Sequence, residues 1–307
     1  MKMDENFKLL NERIYAANRI VTRDYLIDKL KDIKGTLITT GSGGSYPVSH
    51  YASLIMEDVN KCFVRNVYPR GVNRLNPDCL MTFSYSGFTP SILQALQFTP
   101  SRRKILFTTS ENNEISKYEN ICYGGDIEHS FISIASTFIP MSLLYNYGGY
   151  NVPLETILEE PKTYDLRGSI SDFKTVEIFS GVETNTAAYV LQSGLVESGM
   201  AYSIVHEKNN YAHGCATLNY KNKTDLCIYL VNDKTEYDTV MEEVVLPNYD
   251  NVIVMKSIYS GLIAEFDLAL KAMYLLRDMA TIKDIDLSLV DSPKSMKKIY
   301  SFNGKMV

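Results

Sequence analysis

The sequence contains no tryptophan, only four histidines among 307 residues, and five cysteines that form no Cys-x-x-Cys pair. An odd number of scattered cysteines is typical of reduced thiols and not of a disulfide framework or a zinc site. No apolar run approaches the roughly 18 residues of a transmembrane helix, and the polar N-terminus has no signal-peptide core. These absences predict a cytoplasmic protein with no membrane segment and no metal site.

Positive charge is also scarce. Lys and Arg number 31 against 36 Asp and Glu, the formal net charge is −5, and no basic stripe stands out. A nucleic-acid partner is therefore not expected. Because this net charge does not attract anions over long distances, a phosphate group would have to be held locally, by backbone amides and hydroxyl groups.

Short β-like runs alternate with helical stretches along the chain. The β-like runs are 35–40, 62–68, 79–85, 104–109, 176–180, 202–205, 226–231 and 252–255, and the clearest helical stretches are 47–59, 91–98 and 261–280. Such alternation is typical of βαβ units around a mainly parallel sheet. Residues 151–174 hold prolines and acidic residues but no strand pattern. We therefore predict an α/β protein with two domains, 1–155 and 170–307, joined by a linker at 156–169.

A glycine-rich turn, Thr-Gly-Ser-Gly-Gly-Ser-Tyr at 40–46, lies between a predicted strand and a predicted helix. We call it the glycine loop. Glycines let the backbone approach a ligand closely, and a helix N-terminus favours a phosphate, so Gly44 and Ser45 are candidate phosphate ligands. The loop lacks the Gly-Lys-Ser/Thr of a Walker motif, and Tyr46 replaces the third glycine of a dinucleotide fingerprint. No cofactor is therefore expected. A plain tight turn remains the alternative.

The second polar segment, Phe-Ser-Tyr-Ser-Gly-Phe-Thr-Pro, ends at Pro90, and we call its residues 84–89 the serine loop. Thr89 and Pro90 suit the N-cap and first position of a helix. Capping does not account for Ser84 and Ser86 at the end of the preceding strand. Ligands of an open parallel sheet bind at the carboxyl ends of strands, so both loops should face one crevice. Candidate phosphate ligands here are Ser84, Tyr85, Ser86 and Thr89.

Together the two loops resemble those of the SIS (sugar isomerase) domain family, whose second loop reads Ser-x-Ser-Gly-x-Thr. The segment Ala-Ser-Thr at 135–137 also resembles a family segment that flanks the sugar phosphate, which adds Ser136 to the candidates. Within the family the chain is similar to the isomerase domain of glucosamine-6-phosphate synthase and to fructosamine-6-phosphate deglycases. The resemblance implies two SIS domains, a sugar-phosphate ligand, and a homodimer or dimer of dimers.

The second half supplies candidates for catalysis. Glu197 is followed sixteen positions later by His213 and Gly214, and the isomerases and deglycases share a Glu and a His-Gly at this separation. The resemblance implies that Glu197 moves a proton between C1 and C2 of the sugar and that His213 helps to open the ring. A carboxylate in a partly dry crevice can have a pKa raised towards that of a useful base. A solvated glutamate and a structural histidine are the alternatives.

The chain's last segment carries a further similarity. Residues 291–298, Asp-Ser-Pro-Lys-Ser-Met-Lys-Lys, resemble the Asp-Gln-Pro-Arg-Asn-Leu-Ala-Lys tail of the synthase, whose last lysine forms a Schiff base with the keto sugar. The resemblance implies this role for Lys298, and a solvated basic tail is the alternative. The chain departs from the synthase at Tyr85, Phe138 and Gly194, where polar or cationic residues are replaced. These departures affect the prediction of the substrate more than that of the fold.

The sequence thus predicts a sugar-phosphate aldose–ketose isomerase acting on a hexose or amino-sugar phosphate through an enediol or enolamine. One alternative is a fructosamine-6-phosphate-type deglycase, which needs the glutamate and histidine but not the tail lysine. A second alternative is a non-catalytic regulator that binds a sugar phosphate. Such a regulator would need the serine loop but would tolerate the loss of Glu197.

Overall fold

The computed structural model describes residues 3–109, 111–112, 114–126, 128, 130–168, 170, 172–221, 223–289 and 295. They form two compact units. One unit extends to Leu154 and includes residues 288, 289 and 295, and the other is Glu155–Leu287. None of the helices within the described ranges combines the length and the apolar character needed to cross a lipid bilayer.

The first unit contains a five-stranded parallel sheet with the order β2-β1-β3-β4-β5. Its strands are β1 Thr36–Gly41, β2 Phe63–Asn66, β3 Cys79–Phe83, β4 Arg103–Thr108 and β5 Glu119–Cys122. Its helices are α1 Met3–Lys8, α2 Leu10–Ile20, α3 Arg23–Leu30, α4 Ser45–Asn60, α5 Pro69–Val72, α6 Pro90–Phe98 and α7 Ala135–Gly148.

The buried core and the strand order of this unit together indicate where a ligand can bind. Strand β3 is buried throughout its length, and the nearly all-buried helix α7 packs against α2, α3 and α4. From β1 the chain passes first to β2 on one side and then to β3 on the other. Such a change of direction opens a crevice outside the carboxyl ends of the two central strands. The glycine loop follows β1 and the serine loop follows β3, so both loops border this crevice.

The second unit contains a sheet with the order β6-β10-β9-β7-β8, parallel except for β6. Its strands are β6 Asp165–Arg167, β7 Thr175–Ser180, β8 Tyr202–Glu207, β9 Leu226–Val231 and β10 Val252–Lys256. The helices of this half are α8 Leu154–Glu159, α9 Asn185–Glu197, α10 Cys215–Lys221, α11 Glu236–Val244 and α12 Gly261–Ile282. Helix α12 is largely buried and packs along α9.

The predicted α/β architecture with mainly parallel sheets is confirmed, with two differences in detail. The range 151–174, predicted to contain no strand, includes β6, which pairs with β10 at the sheet edge. All three residues of β6 are exposed, so the sequence has no alternation of apolar and polar residues to mark it. Half of the predicted linker, 156–169, thus belongs to helix α8 or strand β6. Strand β5 was also not predicted, because it is a four-residue edge strand with a single buried residue.

Candidate active site

The glycine loop forms the tight connection from β1 to α4. Gly43 has φ +54°, and Gly44 occupies the N-cap position of α4. A Cβ atom on Gly41 would lie 2.0 Å from the Ser45 carbonyl oxygen, and one on Gly44 would lie 2.1 Å from Ser133 Cβ. Side chains are therefore excluded at both positions. The glycines bring the backbone of this loop, and the start of α4 that carries Ser45, close to neighbouring chain segments.

Hydroxyl groups join the two loops. Ser42 Oγ of the glycine loop lies 2.7 Å from Ser91 Oγ, which belongs to the first turn of α6. Since α6 begins directly after the serine loop, this hydrogen bond holds the two loops side by side at the crevice. Within the serine loop, the Phe88 backbone N–H donates to Ser86 Oγ at 3.2 Å.

Ser84 and Thr89 form the centre of the serine loop. Their hydroxyl oxygens are 2.8 Å apart, and Ser84 is only 2% exposed. Thr89 and Pro90 occupy the predicted N-cap and first helical positions, but the Thr89 side chain makes no capping hydrogen bond. Two hydroxyl groups carry two protons, and their mutual hydrogen bond uses one of them. The second proton can therefore be donated to an anionic oxygen.

Tyr85 contacts a different part of the first unit. Its hydroxyl donates to the Asp126 carbonyl oxygen at 2.8 Å, and its own carbonyl accepts from the Thr109 backbone N–H at 3.0 Å. Burial, and then the nearby Glu128 carboxylate, raise the pKa of Tyr85 to about 12. The phenol is therefore neutral, and its hydrogen bond connects the serine loop to Asp126, nine positions before α7 begins.

Ser136 lies at the start of α7, which contacts the glycine loop. The next residue, Thr137, donates its hydroxyl to the Gly44 carbonyl oxygen at 3.0 Å, so α7 begins against the glycine loop. The backbone N–H and hydroxyl of Ser136 both donate to the Glu128 carboxylate, at 3.0 and 2.8 Å. Sequence reasoning missed Glu128, since eight positions separate it from Ser136 and no capping motif has that spacing.

The two predicted catalytic residues of the second unit have different surroundings. Glu197, at the end of α9, accepts a hydrogen bond from Ser193 Oγ at 2.7 Å. Burial raises the pKa of the Glu197 carboxyl, and the hydrogen bond from Ser193 opposes that rise. His213 is exposed, in a turn where its backbone N–H donates to the Asn210 carbonyl oxygen at 3.1 Å. Lys298, the predicted Schiff-base residue, lies outside the described residues.

A further buried acid lies in the second unit, where sequence reasoning did not place one. Glu265 of α12 is fully buried and accepts a hydrogen bond from the Thr186 backbone N–H, 3.2 Å away in the first turn of α9. Burial raises the pKa of Glu265 to about 8. The residue is therefore mostly protonated at neutral pH. In the part of the chain that the structure describes, no three His, Cys, Asp or Glu side chains are grouped so as to hold a metal ion.

No protein-family model and no curated protein sequence matches the chain. Solved structures do. A phosphosugar isomerase, so named, from Clostridium difficile superposes with a TM-score of 0.71 at 16% identity, over 97% of this chain and 98% of that one. A glucosamine-6-phosphate deaminase from Thermotoga maritima gives 0.68 at 15%, over 92% and 96%. The C-terminal domain of glucosamine-fructose-6-phosphate aminotransferase from Francisella tularensis gives 0.66 at 14%, over 92% and 97%.

The chain shares the fold of these phosphosugar proteins. This confirms the predicted resemblance to SIS proteins at the level of fold, and over nearly the full length of each chain. Identities of 13–16% do not carry over residue roles. The roles of individual side chains therefore depend on the geometry within each unit.

Proposed function

We propose that this protein binds a phosphorylated hexose or amino-hexose and interconverts its aldose and ketose forms. The observation that supports this most directly is the pair of loops joined by Ser42 and Ser91 where β1 and β3 end. A crevice at that position is the usual ligand site of an open α/β sheet. The names of the solved neighbours, which refer to hexose and amino-sugar phosphates, agree with this class of ligand.

The phosphate group is proposed to bind to the serine loop and the start of α4. Ser84, Ser86 and Thr89 supply hydroxyl groups. Gly44 and Ser45 lie at the N-terminus of α4, which favours an anion; the Ser45 N–H already donates to the Ser42 carbonyl oxygen, so Ser45 would contribute its hydroxyl. Hydrogen bonds from neutral donors to a charged oxygen are roughly twice as strong as those between neutral groups. The phosphate would therefore replace the Ser84–Thr89 hydrogen bond with stronger ones.

Glu197 is proposed as the base. The ionised carboxylate takes a proton from C2 of the open-chain aldose and forms an enediol, then returns a proton to C1, while a hydroxyl proton passes between the two oxygens. No net oxidation occurs and no cofactor is needed. A pKa raised by burial makes a carboxylate a better proton acceptor at neutral pH. His213, with its exposed imidazole, is proposed to assist opening of the sugar ring.

The test is turnover of glucose 6-phosphate, fructose 6-phosphate and glucosamine 6-phosphate in D2O, followed by NMR. The native protein is expected to exchange the C1 or C2 proton for deuterium during isomerisation. Glu197→Gln keeps the size of the side chain but cannot accept the proton, so turnover should fall by roughly two to four orders of magnitude with binding retained. Glu243→Gln, on an exposed helix surface, is the matched control.

Three other outcomes would contradict the proposed isomerase activity, each for a different reason. Tight binding of the sugar phosphates without turnover would identify a sugar-phosphate regulator. Release of an amine from a fructosamine phosphate without isomerisation would identify a deglycase. Binding of none of the sugar phosphates would remove the proposed ligand class altogether.

A further inference from the structure

The start of α7 contacts the glycine loop and is a position that favours an anion. The first backbone N–H groups of any helix have no partner within the helix, and together they favour negative charge. Ile134, at the N-cap position of α7, has a side chain that cannot cap them. These N–H groups therefore require an anion or a polar acceptor from elsewhere.

Glu128 supplies that anion from within the chain. Its carboxylate accepts from four donors on three consecutive residues: the backbone N–H groups of Ile134, Ala135 and Ser136, at 3.1, 2.8 and 3.0 Å, and the Ser136 hydroxyl, at 2.8 Å. Both carboxylate oxygens are used. A phosphate at a helix N-terminus is bound by the same kinds of donor. The Glu128 carboxylate therefore occupies the position that a phosphate could otherwise take.

Residues on either side of Glu128 make contacts with both phosphate loops. Tyr85 of the serine loop donates to Asp126, two residues before Glu128. On the other side, Thr137 donates to the carbonyl of Gly44, and the Gly44 Cα lies against Ser133 with no room for a side chain. The carboxylate thus lies at the start of a helix that contacts the glycine loop, and a second anion cannot share its donors.

We propose that Glu128 is a positioning residue: it occupies the α7 terminus as an internal anion and thereby confines the substrate phosphate to the serine loop. This rests on the proposed function. Without Glu128, the crevice would offer two phosphate positions, at the serine loop and at α7, and a sugar phosphate could bind in two orientations. With Glu128 in place, the phosphate has one position and the sugar binds in one orientation. The sugar carbons then occupy the same positions in every bound molecule. Ser136 then acts through Glu128 and not as a direct phosphate ligand.

The experiment counts phosphate sites on the full chain, with inorganic phosphate as the probe. Calorimetry and 31P NMR titration should give one phosphate per native chain and two per Glu128→Ala chain, because the vacated N–H groups accept a second. Phosphate should also raise the melting temperature of Glu128→Ala more than that of the native chain. Glu114→Ala removes an exposed acid from the same unit and is expected to behave as native.

The possible results separate the two proposals. If the native chain binds no phosphate, the proposed function fails. If the native chain and folded Glu128→Ala each bind one, Glu128 does not exclude phosphate, and this inference fails while the proposed function stands. If Glu128→Ala does not fold, Glu128→Gln tests the same point. Its neutral amide competes with phosphate far less than a carboxylate, so two phosphates are again expected, and one phosphate would refute the inference.

Discussion

Removing the paired hydroxyl groups of the serine loop should weaken phosphate binding more than it lowers the stability of the fold. Ser84 is 2% exposed and is hydrogen-bonded to Thr89. Thr89→Ala alone leaves the buried Ser84 hydroxyl without its partner, which costs about 1–3 kcal/mol. The double variant Ser84→Ala/Thr89→Ala removes both groups and should cost less than the two single changes together. Since Thr89 makes no capping hydrogen bond, no further loss from the start of α6 is expected.

The effect on binding should be larger than the effect on folding. Each hydrogen bond to a charged phosphate oxygen contributes about 1.5–3 kcal/mol, and the free protein gives up one neutral hydrogen bond of about 1 kcal/mol. The double variant should therefore lose at least about 2 kcal/mol of binding free energy, close to 30-fold in Kd. Binding of unphosphorylated glucose should change little, because the lost groups are proposed to contact the phosphate and not the sugar.

Calorimetry with glucose 6-phosphate and glucose measures these affinities, and urea denaturation measures stability. Ser53→Ala is the control: this nearly buried hydroxyl donates to the His50 carbonyl within α4, away from the serine loop. It should leave the affinity for the sugar phosphate unchanged. A folded double variant that binds glucose 6-phosphate as tightly as the native chain would refute the role assigned to the serine loop.

Three further predictions concern the second unit. Ser193→Ala removes a hydrogen bond that favours the ionised form of Glu197, so the pKa of Glu197 should rise and the acid limb of the pH–rate profile should move to higher pH. An unshifted limb would rule out Glu197 as the titrating base. Glu265 has a pKa of about 8 when folded, against 4.5 ordinarily; the unfolded chain releases its proton first, so stability should fall as pH rises from about 4.5 to 8. Glu265→Gln should flatten that fall in urea denaturation at pH 5 and pH 8, and an unchanged slope would show another group is responsible. Finally, if a dimer combines Glu197 of one chain with His213 of the other, mixing inactive Glu197→Gln and His213→Ala chains should restore about a quarter of native activity, whereas a mixture that stays inactive would exclude sharing between chains.

The glycine and serine loops could be predicted from sequence because their information is local. Glycines that follow an apolar run, and serines that precede a Thr-Pro helix start, mark the ends of parallel strands without any knowledge of the partner strands. The sheet order that brings the two loops together was not predicted. It depends on which strands lie beside β1, and the Ser42–Ser91 hydrogen bond joins residues 49 positions apart.

The features that sequence reasoning missed are those in which a polar side chain finds a partner outside any repeating pattern. Glu128 belongs to a segment without helical or strand periodicity, and its donors lie six to eight positions further on. Thr89 looks like a capping residue, but its hydroxyl bonds to Ser84 instead. In both cases the hydrogen-bond partner depends on how the loop folds. Composition and residue spacing do not predict which partner is used.

The two units have the same kind of switch point but different electrostatics. In the second unit, the chain passes from β7 to β8 on one side and then to β9 on the other, as it does around β1 in the first. There the loops that follow β7 and β9 are joined by Asn232, whose amide donates to the Glu183 carboxylate at 2.5 Å. In the first unit, the corresponding junction is made by the hydroxyl groups of Ser42 and Ser91. A carboxylate at such a junction repels a phosphate, whereas hydroxyl groups can donate to it. The first unit also has a carboxylate nearby, that of Glu128, but its oxygens already accept hydrogen bonds from the start of α7. In a chain with a net charge of −5, the hydroxyl junction therefore supports the first unit as the proposed site for a sugar phosphate.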